Sequence, residues 1–262
     1  MTIALLALAL AAVVQSADGR SDTVWETIRT ETVSLTALSL EDGVSLAARC
    51  RQGVFDFVIA GLPPVEGNDR RLRLSVDNHA DYTIKWLQSL DGVQAFSPMP
   101  APMARELIDG GQLTVTVMDG DVEGASFHYE IPSDKGAIGE VLTACGRPIM
   151  DERWRFQRAQ APEGMSVLRT APQSRFPEEA KRAQVFMATV VMTCLARRNH
   201  RVSDCVVESE SPPGLGFGRS VLRSAPQARV IDLDFPENGD PLLMFVTTTF
   251  LARPPSAPQT GQ

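Results

Sequence analysis

The chain has 262 residues, 44% of them hydrophobic, with four cysteines and a formal net charge of −7. That length suits two domains of ordinary size, because one core usually serves about 100–200 residues. The acidic balance argues against a nucleic-acid binder, which needs a basic face to neutralise phosphates, and three Trp and two Tyr leave little for base stacking.

Residues 1–14 are apolar almost without interruption, and Gln15, Ser16 and Ala17 follow. Such a run falls short of the roughly 20 residues that span a bilayer but matches the core of a secretory leader. No Lys or Arg precedes Arg20. Residues 1–17 are expected to be a signal peptide, and the mature chain a periplasmic or secreted protein with no membrane span. An even number of cysteines agrees with an oxidising compartment.

Over residues 24–152 the dominant period is two. Residues 72–76, 82–86, 113–117 and 127–131 alternate apolar with polar, the pattern of half-buried antiparallel strands. Residues 54–59 are more continuously apolar and read as an inner strand. Turn signals at Gly43, Gly92, Gly110 and Gly124 separate these runs. The expectation is an antiparallel β-sandwich-like module. Two helices interrupt it. One runs from Pro102 to Ile108 and is stopped at Gly110. The other is a closing helix with Ile138, Val141, Leu142 and Cys145 on one face, Ser133 as its N-cap and Gly146 at its end. With Cys145 on the buried face and Cys50 ending a strand, the two are expected to pair and staple the module.

The Cys-terminated strand, a Trp-bearing strand and the closing run from Leu142 through Cys145 and Gly146 to Ile149 resemble periplasmic β-rich domains of the invasion-associated or secretion-associated kind. No activity is carried over from that resemblance. Asp119, Asp121, Glu123, Gly124 and Glu130 have the spacing of a calcium-binding loop. Their flanks read as strands, so a polar turn is the preferred reading and no metal is expected.

Residues 153–170 read as a linker whose basic and aromatic start (Arg153, Trp154, Arg155, Phe156, Arg158) serves packing and a solvated face. Residues 171–252 then alternate helix, strand, strand, helix, strand. A helix starts at Pro177, a β-branched strand fills residues 185–195, and residues 202–207 return as its partner. A turn centred between Asn199 and His200 places Cys194 opposite Cys205, so these two are expected to form the second disulfide. A final apolar strand ends near Leu251, and residues 253–262, rich in proline, are expected to be a disordered tail. The fold class expected for the whole chain is α+β.

Phe176, Pro177 and Ala180, the strand of residues 201–209, and Asn238, Gly239 and Pro241 before the last strand are similar to the C-terminal domain of TonB-type energy transducers. The likeness covers about residues 171–252. It implies a non-enzymatic module that captures an extended segment of an envelope or outer-membrane protein by strand addition, or that forms a homodimer through the same edge. The edge it implies is Met244, Phe245, Val246, Thr247, Thr248, Thr249 and Phe250. The lead-in to the second helix departs from that family (residues 211–217), and neither a spanning helix nor a long proline-rich arm is seen. A detached binding module is expected rather than a full transducer.

The alternative is a hydrolase or small-ligand binder with its site in the β-rich module. His79, His128 and His200 have no metal-ligand spacing, and the chain holds no nucleophile elbow or dinucleotide fingerprint. The glycines at 214, 216 and 218 follow a strand but lack a phosphate-binding lysine. No catalytic residue and no cofactor are therefore expected.

Overall fold

The computed structural model describes residues 24–65, 69–77, 82–89, 91–119, 122–162 and 165–252. The leader over residues 1–17, His79, Asp121 and the tail over residues 253–262 lie outside the described residues.

The alternating runs become strands. In chain order these are β1 (Glu26–Arg29), β2 (Val33–Ser39), β3 (Ser45–Arg51), β4 (Val54–Ala60), β5 (Asp69–Val76), β6 (Tyr82–Gln88), β7 (Gln94–Phe96), β8 (Gly111–Asp119) and β9 (Val122–Ile131). Among the described residues they form one antiparallel sheet, in the order β1-β2-β3-β4-β7-β6-β5-β8-β9. This corrects the expected sandwich. A sandwich needs a break in the ladder, and here the short β7 closes it: Phe96 pairs with Val58 of β4 on one side and with Leu87 of β6 on the other.

The second layer is helical instead. Helix α1 (Pro100–Glu106) and helix α2 (Lys135–Ala144) cover the face that carries Leu46, Phe57, Leu72, Leu113 and Trp86, all buried. Trp86 meets Phe57 edge-on with centroids 6.5 Å apart, an arrangement favoured by the ring quadrupoles. Trp25 Nε1 donates to the Pro132 carbonyl at 3.1 Å. That bond ties the segment before β1 to the residue after β9, from opposite ends of the strand order.

Helix α1 begins at Pro100, two residues before the proline expected to start it. Helix α2 is capped by Asp134, not Ser133: the Asp134 carboxylate accepts the Ala137 amide at 2.8 Å. At the other end Gly146 adopts φ +64° while its amide donates to Thr143 and the Arg147 amide to Leu142, each at 2.9 Å. This double return needs a left-handed residue, which explains the glycine. Asp134→Ala should cost about 1 kcal/mol of stability and Ser133→Ala close to nothing, as read by urea unfolding.

The second half contains β10 (Leu168–Thr170), α3 (Glu178–Arg182), β11 (Met187–Ala196), β12 (Val202–Ser211), α4 (Phe217–Ser224), β13 (Arg229–Val230) and β14 (Leu242–Leu251). Strands β12, β11 and β14 form an antiparallel sheet in that order, and β10 pairs with β13. One face of the three-stranded sheet carries Val190, Met192, Met244 and Val246 against Ala180, Phe217 and Val221 of the helices. Phe176, Phe217 and Phe250 close this core, with centroids between 4.9 and 6.1 Å apart. The chain is thus a mixed α+β protein built of antiparallel sheets and helices.

Both disulfides are formed: Cys50 with Cys145 and Cys194 with Cys205. Cys194 and Cys205 lie between the pairs Thr193↔Val206 and Leu195↔Ser203. The expected turn therefore sets their register, although the ladder around them is irregular.

Candidate functional site

Strand β14 pairs with β11 without a break from Met187↔Leu251 to Ala196↔Leu242. Its far side is occupied at one end only. The Leu243 amide donates to the Gln157 carbonyl, and its carbonyl accepts from the Ala159 amide, both at 2.8 Å. Successive residues of a strand turn their backbone groups to opposite sides. Leu243 faces outward, so Phe245, Thr247, Thr249 and Leu251 also direct amide and carbonyl outward. Met244, Val246, Thr248 and Phe250 direct theirs to β11. Among the described residues nothing bonds to the outward groups of residues 245, 247, 249 and 251.

The opposite edge is β12, and it is blocked. Its register slips between Val191 and Met192 and again between Thr193 and Leu195. The first slip leaves Glu208 as an extra residue; the second falls at Asp204, whose φ is +49°. Such bulges turn side chains and carbonyls out of the ladder and make an edge a poor template. Arginines also take some of its carbonyls. Arg147 donates to the Val207 carbonyl at 2.9 Å, and Arg153 to that of Asp204 at 2.9 Å.

Arg153 lies in a 3-10 turn (Glu152–Arg155) and joins the two halves of the protein. Its guanidinium bonds both carboxylate oxygens of Asp151, at 2.9 and 2.6 Å, and reaches Glu208 at 3.4 Å. Glu208 is almost fully buried and also accepts from the Thr193 hydroxyl at 2.5 Å. Burial works against the charge of Asp151, but hydrogen bonds and charge from Arg153, then the charge of Arg105, hold its carboxyl below the usual aspartate range. Burial also lowers the Arg105 guanidinium, partly offset by Asp151 and Glu208.

Beyond this contact the two halves part into a cleft of about 930 Å³. One wall is the outer face of the large sheet, with Arg51, Lys85, Leu87 and Phe96; the other carries Thr189, Phe245, Thr247 and Thr249. Phe245 rests on Trp154, centroids 5.8 Å apart, with the Arg158 guanidinium 5.9 Å from its ring. The Arg158 guanidinium is lowered by burial. The open edge of β14 and the cleft thus share residues 245, 247 and 249.

Of the edge residues expected from sequence, Phe245, Thr247 and Thr249 do share one face, and it is the cleft face. Met244, Val246 and Phe250 are core, and Thr248 is half-buried. Sequence reasoning missed the opposite wall. Arg51 and Lys85 were legible as outward positions of strands, but nothing local says that another sheet faces them.

The remaining candidates have structural roles. Asp119 pairs with Val122 in a hairpin, and Glu123 forms an ion pair with Arg73. His128 Nδ1 meets the Thr114 hydroxyl at 3.1 Å, and His200 sits 3.6 Å from Asp232. The amides of Gly214 and Gly218 are taken by the Glu210 carboxylate, at 2.6 and 2.5 Å, where it complements the start of α4. Among the described residues there is no cluster of His, Cys, Asp and Glu arranged to hold a metal, and no helix long and apolar enough to cross a membrane.

Compared with known proteins, the chain matches no family model and no curated protein sequence.

Proposed function

We propose that this chain is a non-enzymatic envelope protein, periplasmic or secreted, whose C-terminal half captures an extended partner segment by strand addition to β14. The observation that carries the reading is the row of unpartnered outward groups at Phe245, Thr247, Thr249 and Leu251, on a ladder that is otherwise unbroken. A flat open edge is a template for another strand: main-chain bonds supply affinity, and alternate side chains supply selectivity. The TonB-like motifs of residues 171–252 support the same reading. The rival, a hydrolase or ligand binder within the β-rich half, has less in its favour, because the inward face of that sheet is filled by Trp86, Phe57 and Leu72.

The test is a pair of prolines one residue apart. At Thr247 the amide points outward, so Thr247→Pro should keep the fold and both disulfides yet lose the partner recovered from envelope extracts. At Val246 the amide bonds to β11, so Val246→Pro should destabilise the sheet by about 1–3 kcal/mol. Light scattering of the same samples separates capture of another protein from pairing of two copies. Undiminished capture by a folded Thr247→Pro would sink strand addition.

A further inference from the structure

We propose that the outer face of the large sheet is the second wall of the partner site, and that Arg51 there selects a segment bearing a carboxylate at a cleft-facing position. The proposal rests on strand addition to β14 and adds the chemistry of the occupant.

A strand laid along residues 245–251 would be about 20 Å long. Its side chains would point alternately to the helix-covered face and into the cleft, beside Phe245, Thr247 and Thr249. Those in the cleft meet β3, β4 and β6 across it. Four cations line this space, Arg49, Arg51, Lys85 and Arg158, against three anions, Asp56, Asp69 and Glu210.

The anions are already engaged. Asp56 accepts from Arg49 at 3.2 and 2.7 Å, Asp69 from Lys85 at 3.0 Å, and Glu210 from the amides of Gly214 and Gly218. Arg51 is exposed at the end of β3 and has no ion pair or hydrogen bond from its side chain among the described residues. The cleft therefore offers a positive charge that no described residue satisfies, on a chain whose net charge is −7.

A charge in a walled cleft acts on its ligand more strongly than one on an open surface, and it sets specificity more than bulk affinity. The same wall also carries apolar side chains: Leu87 is 45% exposed, and Phe96 pairs with it on the next strand. The occupant that fits is an extended acidic peptide with apolar residues flanking its carboxylate.

A phage-displayed library of random heptapeptides, panned on the oxidised full chain, tests this. The wild type should enrich sequences with Asp or Glu at one alternate set of positions. A synthetic copy of an enriched peptide should bind Arg51→Glu more weakly by about tenfold. Panning on Arg51→Glu should enrich Lys or Arg at those positions, and Thr247→Pro should enrich nothing. Enrichment without an acidic preference, or with the same preference in Arg51→Glu, overturns the role of Arg51 and leaves strand addition standing. No enrichment on the wild type, or enrichment that Thr247→Pro leaves intact, overturns strand addition and this inference together.

Discussion

Replacing Cys50 and Cys145 together by alanine should lower the unfolding free energy of the β-rich half by about 4–5 kcal/mol. The bond spans 95 residues of sequence, so its loss frees most of that half in the unfolded chain. It also joins β3, inside the sheet, to the residue that ends α2. Without it the helix keeps the packing of Ile138, Val141 and Leu142 and the exposed ion pairs of Glu140 with Arg29 and of Lys135 with Asp109. Domains of this size have about 5–15 kcal/mol in hand, so the variant should lie near the limit of folding at 37 °C. Cys50 is buried, and alanine keeps a small apolar side chain there. The same change at Cys194 and Cys205 opens a loop of sequence separation 11 and should cost less, about 3 kcal/mol. Urea unfolding followed by tryptophan fluorescence makes the comparison. Equal losses in the two variants would show that native packing, not chain entropy, sets the effect.

Local quantities were legible in the sequence and non-local ones were not. The alternation of residues 72–76 and 113–117 names the buried face correctly, because strand period is a property of the strand itself. The pairing of Cys194 with Cys205 followed from one turn, since a hairpin carries its register along both arms. The end of α2 at Gly146 was equally local. By contrast, β7 has only three residues, Gln94, Ala95 and Phe96, too few to show a period, and it decides between a sandwich and one sheet. Glu208 follows three consecutive apolar residues, and nothing local marks it as buried; a bulge and an arginine 55 positions away bury it. The cleft was invisible for the same reason. Its two walls are each ordinary strand faces, brought opposite each other by long-range bonds: the clamp at Arg153, Arg147 on the Val207 carbonyl and Ser209 on the Pro98 carbonyl.

That clamp carries the second large effect. Arg153→Ala should destabilise the junction by about 3–5 kcal/mol, because it leaves the Asp151 and Glu208 carboxylates buried without their main counter-charge. Their side chains are 10% and 1% exposed, so solvent screens them little. Arg105 lies 3.7 Å from Asp151 and compensates only in part. Neutralising the acids as well, in Arg153→Met with Asp151→Asn and Glu208→Gln, should recover most of the loss, since the penalty lies in uncompensated charge. The dependence on pH separates this from simple loss of packing. In the wild type the Asp151 carboxyl is depressed on balance, so its contribution is present above the unfolded value of about 3.9 and is lost as pH falls through the folded value. Without the Arg153 guanidinium, burial, the largest single influence, is opposed by the residue-153 amide and by Arg105, so the carboxyl moves up and its stabilising contribution shrinks. The wild type should therefore lose stability on acidification below about pH 4, whereas Arg153→Ala should lose less. Parallel acid limbs in the two proteins would mean that Arg153 holds the halves together by packing, not by its charge.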